Sequence, residues 1–132
     1  MLKTERELDL LTAANEFHDM LESQTPFTRT VFNEAPSMLH GYAVTGILPG
    51  LKGGIIAPGN IVDFLRSIDH FHSVPGFTQT IYVGGWKQDW IMYLDAVIIV
   101  EDLDTAMKLG KAWNQLAIGE FRNNVYIKDI AL

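Results

Sequence analysis

The stretch of sequence that decides the fold is residues 93–100, which read Tyr-Leu-Asp-Ala-Val-Ile-Ile-Val. It is the most apolar run in the chain, and it carries one charge, Asp95, near its middle. A strand that is apolar on both faces lies in the interior of a sheet, where other parts of the protein cover each side. The run therefore predicts a central strand over residues 91–100, around which the sheet is built.

The segments on either side of this strand predict an antiparallel sheet. Residues 78–84 alternate polar and apolar side chains, as a half-exposed strand does. The connection at residues 84–90 is too short for a crossover, so it predicts a loose hairpin. Apolar spacing then predicts a helix over residues 103–116, followed by strands over 116–121 and 125–130 that close the chain as a hairpin.

Upstream of residue 78 the pattern predicts further elements of the same kind. Residues 41–48 read as a strand, 49–54 as a loop and 54–57 as a short strand. Asn60 is a candidate N-cap for the next helix. Antiparallel strands with helices packed over them predict an α+β fold, specifically a two-layer sandwich that resembles the ferredoxin-like arrangement.

The N-terminal region predicts an amphipathic helix over residues 5–21, with Thr4 as its N-cap and Glu7 completing a capping box. Its apolar face must be buried on its own domain or on a partner, so the helix is either packed or a separate arm. Residues 23–40 contain Pro26 and Pro36 and predict an irregular linker. We therefore expect an N-terminal helix at residues 1–22, a linker at 23–40 and an α+β domain at 41–132.

Composition excludes several functional classes. Among 132 residues there are no cysteines, which removes disulfides, thiolate nucleophiles and cysteine-based metal sites. The net charge of −6, with ten Lys and Arg residues in no cluster, argues against nucleic-acid binding. No secretory signal and no apolar run of membrane-spanning length is present. We expect a cytoplasmic protein that has no bound cofactor, does not bind nucleic acid and is not associated with a membrane.

Asp95 is the candidate catalytic residue, because a carboxylate within an apolar strand must be paired, hydrogen-bonded or protonated. Carboxylates in such surroundings occur in active sites, although structural ion pairs produce them too. The alternatives are a partly solvated strand face, or a structural bond to Arg122, Lys87 or a backbone amide.

The candidate metal ligands are His70 and His72, which Asp69 could join. Their position at the end of a predicted helix equally fits the favourable interaction of histidine with the helix dipole. The glycine-rich segments at residues 49–54 and 84–85 match no phosphate-binding motif and predict turns.

Four aromatic residues, Trp86, Trp90, Tyr82 and Tyr93, gather around the predicted hairpin and are candidates for an interaction surface. Exposed tryptophans are typical anchors of protein interfaces. A hairpin folded back over the sheet would instead bury both rings.

Part of this region resembles a family of small bacteriophage-encoded proteins. The family pattern is a Tyr-x-Gly-x-Trp strand, then a Tyr-Leu-Asp strand, then a helix that leads into Gln-Leu-Ala-Ile, and it corresponds here to Tyr82, Trp86, Tyr93, Asp95 and the segment 115–118. The resemblance covers residues 78–121, and Gly119 departs from it where the pattern has an aromatic. It implies a phage accessory or cargo protein in a bacterial cytoplasm, and it implies no activity.

Three functional hypotheses follow. The first is a non-catalytic protein-binding module, oligomeric, that uses the Trp-bearing hairpin. The second is a small-molecule-binding protein or simple enzyme with a pocket around Asp95. The third is a self-assembling structural component, based on the N-terminal helix.

Overall fold

The computed structural model describes residues 4–23, 26–33 and 39–132. These residues form three helices and seven strands of an α+β fold. In chain order the elements are α1 (Glu5–Glu22), β1 (Phe27–Arg29), β2 (Gly41–Thr45), β3 (Leu51–Gly53), α2 (Pro58–His72), β4 (Tyr82–Gln88), β5 (Ile91–Val100), α3 (Leu103–Ala112), β6 (Ala117–Arg122) and β7 (Val125–Ala131).

The strands form one antiparallel sheet in the order β1-β4-β5-β2-β6-β7, and the sheet curls into a half-barrel. β5 lies inside it, as the apolar run predicts. On one side β5 pairs with β4 at residues 91–97. On the other side it pairs with β2 at residues 97–100 and with β3 at residues 92–94. The α+β class is therefore confirmed. We expected a two-layer, ferredoxin-like sandwich, and this finer expectation is not confirmed, because the sheet curls.

The β4–β5 hairpin is tighter than predicted. β4 begins at Tyr82 and continues to Gln88, where Gln88 lies directly opposite Ile91. The prediction of a loop over residues 84–90 was therefore wrong. The turn contains only Asp89 and Trp90, both with positive φ. The polar residues just before the turn, which resemble a loop in the sequence, form the exposed end of β4.

Three further boundaries differ from the sequence prediction. The predicted loop at residues 49–54 contains β3, whereas residues 54–57 are not a strand. Asn60 does not cap α2, because the helix starts earlier, with Ala57 as N-cap and Pro58 in the first turn. Proline suits that position because its missing N–H would have had no helical acceptor. α3 ends at Ala112, followed by Asn114 with φ of 57°.

α1 packs within the same core as the sheet. Its buried face, Leu10, Ala13, Ala14, Phe17 and Leu21, belongs to the cluster that contains Leu94 of β5. Thr4 caps the helix by accepting from the Glu7 N–H at 3.2 Å, while the Glu7 carboxylate accepts two hydrogen bonds from Arg66 of α2, both at 2.9 Å. An ion pair between Arg6 and Asp69 adds a second link between the helices.

The region expected to be a linker contains a strand. Within residues 23–40 the structure shows β1, whose Phe27 ring lies 5.7 Å from that of Phe17. Residues 1–3, 24–25 and 34–38, with Pro36 among them, lie outside the described residues, so those parts of the predicted helix segment and linker carry no structural statement.

The two faces of β5 have different surroundings. Met92, Leu94, Ala96 and Ile98 face the main core, which the helices complete. The opposite face carries a smaller apolar cluster of Leu39, Tyr82 and Val97, together with Tyr93 and Asp95. None of the helices formed by the described residues combines the length and apolar character needed to cross a bilayer.

Candidate binding site at the β4–β5 hairpin

The tip of the β4–β5 hairpin displays a tryptophan in solvent. Trp90 is 83% exposed and has φ of 72°, in the left-handed region that L-residues with large side chains rarely adopt. This conformation costs an ordinary L-residue about 1–2 kcal/mol. The chain thus holds a bulky aromatic side chain at a position where glycine would be more favourable.

A second two-residue hairpin among the described residues provides an internal comparison. Asn123 and Asn124 connect β6 to β7, with φ of 51° and 67°. Asparagine tolerates this conformation well, and it is common in such turns. One hairpin therefore uses residues suited to the turn, whereas the other places Trp90 there.

Other exposed apolar residues lie at the same end of the sheet as Trp90. Ile55 is 81% exposed and follows Gly54, whose missing Cβ position lies 3.7 Å from the Trp90 carbonyl oxygen. Ile91, the first residue of β5, is also exposed. The Lys87 ammonium lies 5.9 Å from the centre of the Trp90 ring, within the range of a weak cation–π contact. We call Ile55, Trp86, Trp90 and Ile91 the hairpin surface.

Trp86 and Tyr93 stack against each other on the face of the sheet that the helices do not cover. The two residues are directly opposite on β4 and β5, their ring centres are 4.1 Å apart, and the ring planes differ by 7°. Trp86 remains 39% exposed, while Tyr93 is half-buried. The stack therefore fixes the orientation of an indole that still has surface available for contact.

Asp95 lies on the same face, two residues after Tyr93, at a gap between neighbouring strands. β2 ends opposite Val97 and β3 begins opposite Leu94, so β5 has no strand partner on that side at Asp95. Gly50 in the intervening loop approaches so closely that a Cβ atom there would overlap Asp95 Oδ1. A carboxylate is accommodated within this apolar strand because the neighbouring strand is interrupted beside it.

The environment of Asp95 acts on its charge in two opposing ways. Burial raises the pKa of its carboxyl group, because desolvation disfavours the charged form. The Trp86 indole, a nearby hydrogen-bond donor, has the smaller, opposite effect on that pKa. Neither predicted side-chain partner serves here: Arg122 donates to Glu120 at 2.9 Å, and Lys87 extends from β4 toward the opposite face.

Tyr82 does not share the exposed surface of the tryptophans. It is buried in the small cluster with Leu39 and Val97, on the same face of the sheet but further along the strands. The four aromatic candidates are therefore divided into an exposed pair, a half-buried stacking partner and a buried residue.

The histidine pair lies at the C-terminus of α2. His72 Nε2 accepts a hydrogen bond from the Ile81 N–H at 3.0 Å, which uses the nitrogen for a structural contact. Asp69 is paired with Arg6. Within the described ranges, the one group of three potential ligands with mutually close donor atoms is His18, Asp19 and Glu22 on the surface of α1, and it does not include either histidine of the pair.

Two surface cavities lie away from Asp95. One, of about 260 Å³, is formed where Arg6, Phe32, His72 and Gln79 approach one another. The other, of about 560 Å³, is a shallow depression beside α2 that includes Leu48, Arg66 and Phe71. Neither contains any residue of the hairpin surface.

No protein-family model, curated protein or solved structure matches this chain. The argument for function therefore depends on the geometry of the chain itself. Three residues of the site, Gly50, Ile55 and Ile91, were missed by the sequence analysis. Gly50 has a signal only in the Pro49-Gly50 turn, and the exposure of Ile55 has none, because an Ile-Ile pair after glycines resembles any short strand.

Proposed function

We propose that the protein is a non-catalytic protein-binding module and that the hairpin surface is its interface. The observation that supports this proposal best is the exposed Trp90 in a left-handed conformation. A conformation that costs stability and has no packing role is retained where the side chain serves another purpose. Tryptophan is the residue type most enriched among the dominant contacts of protein interfaces.

The surroundings of Trp90 support the same proposal. The exposed side chains of Ile55 and Ile91 extend the apolar area, and Trp86 adds a second indole whose orientation is fixed by stacking. A rigid aromatic side chain loses little conformational entropy on binding, which leaves more of the contact energy for affinity. The hairpin surface therefore has the composition of the centre of an interface.

We also propose a biological setting for the protein. On the resemblance over residues 78–121, we place the protein among phage accessory proteins that act in a bacterial cytoplasm. Its partner is another protein or a second copy of the chain. The net charge of −6 argues against a nucleic-acid partner.

Site-specific photo-crosslinking in cells that make the protein naturally tests the interface. A benzophenone amino acid replaces Trp90 in one variant and Val74, an exposed residue in the turn after α2, in the control. We expect one dominant adduct from position 90, none from position 74, and loss of the adduct when Trp86→Ala is added. Equal adduct patterns from the two positions would contradict the proposal.

Self-assembly is the second candidate, and the observation that favours it is the open edge of β7. This strand pairs only with β6 among the described elements, and Val125, Tyr126 and Ile127 on it are exposed. An unpaired edge with apolar side chains can add a strand from another chain. Native mass spectrometry tests this: an oligomer that Ile127→Lys dissociates supports assembly through β7, whereas a monomer removes it.

The third candidate, a small-molecule site around Asp95, is favoured by the raised pKa of that carboxyl group. The same native mass spectrum tests it. A retained stoichiometric small mass that Asp95→Asn releases would support a ligand site, and a spectrum with the mass of the polypeptide alone would count against it.

A further inference from the structure

We propose that Trp86, Tyr93 and Asp95 form a site for an arginine side chain of the partner protein. This inference deepens the proposed function and rests on it, because the site borders the hairpin surface through Trp86. The guanidinium would stack on the open face of the indole and donate hydrogen bonds to the Asp95 carboxylate.

The first argument is the absence of a countercharge at Asp95. In residues 4–23, 26–33 and 39–132 no lysine, arginine or histidine forms an ion pair with it. The side chain that lowers its pKa is the neutral indole of Trp86, its diagonal neighbour on β4. A carboxylate can accept about four hydrogen bonds, so acceptor capacity remains for an incoming donor. A cation from a partner would also offset the cost of partly burying this charge.

The second argument is the accessible indole. Tyr93 covers one face of the Trp86 ring at 4.1 Å, so the exposed 39% of this residue belongs to the opposite face and the edges. The electron-rich face of an indole attracts cations more strongly than that of any other side chain. The stack on Tyr93 holds the ring in place before any ligand arrives, which lowers the entropic cost of binding.

Arginine fits this arrangement better than lysine. A planar guanidinium can stack on the indole and direct N–H groups in its own plane toward a carboxylate, whereas an ammonium is a compact and more strongly hydrated charge. Lys52 lies on β3, directly opposite Tyr93, whereas Trp86 lies opposite Tyr93 on the other side of β5. Lys52 therefore does not occupy the open face of the indole. The chain's charge of −6 also favours the approach of a basic segment.

An NMR titration of the full-length ¹⁵N-labelled protein tests the inference. The probe is N-acetyl-arginine amide, and the control ligand is N-acetyl-citrulline amide, in which a neutral urea replaces the guanidinium. We expect the arginine probe to shift the Trp86 indole N–H resonance with saturation in the millimolar range, the range of a few kcal/mol available to one side chain. The citrulline compound should give no saturable shift.

Two variants make the assignment specific. Asp95→Asn should weaken probe binding at least tenfold, with its amide spectrum still that of a folded protein. Asp104→Asn removes the same charge from the exposed first turn of α3 and should leave probe affinity unchanged. Equal saturation by both ligands, equal losses in the two variants, or no saturable shift would each overturn the inference.

The titration tests the arginine site and the crosslinking experiment tests the interface, so the two results are independent. If the probe does not bind while crosslinking from position 90 persists, the arginine site is wrong and the protein-binding function stands. If the probe binds while crosslinking is equal at positions 90 and 74, the arginine site is real and the hairpin surface is not the interface.

Discussion

Trp86 on β4 and Asp95 on β5 are diagonal neighbours on one face of the sheet, because Asp95 lies directly opposite Gly84. Diagonal positions are within reach of large side chains. The indole, a hydrogen-bond donor, lowers the pKa of the Asp95 carboxyl group, although burial raises that pKa by more. This proximity links the exposed aromatic side chain of the proposed interface to the one charge of the central strand, and the first two predictions concern Asp95.

Removing the indole donor should raise the pKa of Asp95 further. In Trp86→Phe the aromatic ring can still stack on Tyr93, but the N–H that favours the charged carboxylate is lost. Carbon-detected NMR titration of the Asp95 carboxyl group measures the change. The control Trp90→Phe removes an indole from the hairpin tip and should leave the Asp95 titration unaltered. An unchanged Asp95 pKa in Trp86→Phe would show that the indole N–H does not act on the carboxylate.

Stability should depend on pH through Asp95 in a defined direction. Because its folded pKa lies above the unfolded value, taken as 3.8, the folded state binds the proton more tightly. The free energy of unfolding of the wild type should therefore fall, relative to Asp95→Asn, as pH rises from below 3.8 through the folded pKa, and then level off. Urea denaturation of both proteins across this range measures the difference. A difference that is constant with pH would contradict the prediction.

Gly85 should not tolerate a side chain. A Cβ atom at this position would overlap the Phe27 ring, which packs against Phe17 in the core. Overpacking of this kind costs about 1–3 kcal/mol, so Gly85→Ala should lower the free energy of unfolding by that amount. The matched control is Gly59→Ala in the first turn of α2, where no atom lies within 4 Å of the new Cβ. There we expect a gain of about 0.4–1 kcal/mol, and similar effects at both sites would refute the packing argument.

Relieving the hairpin turn should trade function for stability. Trp90→Gly replaces a strained L-residue at φ of 72° with the residue best suited to that conformation, so the free energy of unfolding should rise by about 1 kcal/mol. Partner capture should fall at least tenfold. Asn123→Gly in the other hairpin is the control and should change stability less, since asparagine already tolerates its φ of 51°. A loss of stability in Trp90→Gly would mean that the indole packs rather than binds.

Sequence periodicity was sufficient for the elements that local physics determines. The run from residue 91 to 100 is apolar and rich in β-branched side chains, which favours a buried strand, and the spacing of Leu10, Phe17 and Leu21 predicts α1. The hairpin at Asn123-Asn124 follows from turn residues flanked by apolar alternation. The α+β class could be inferred from these patterns alone.

Periodicity could not locate the boundaries of β3 and β4, because both depend on pairing with β5. Leu51–Gly53 forms a strand because it lies beside Met92–Leu94, and nothing within three residues of sequence records that neighbour. Residues 86–88 are polar or aromatic and resemble a loop, yet their pairing with residues 91–93 makes them the end of a strand. Non-local hydrogen bonds therefore decided what local propensity left open.

By itself, the sequence determined that Asp95 needs a special environment and that two tryptophans lie near one turn. Only the tertiary structure decided what surrounds them. The gap between β2 and β3 accommodates the carboxylate, the stack on Tyr93 orients Trp86, and the two-residue turn projects Trp90 into solvent. The physical reason is that a side chain's exposure and partners are set by strand register across the sheet, which joins residues that sequence spacing does not relate.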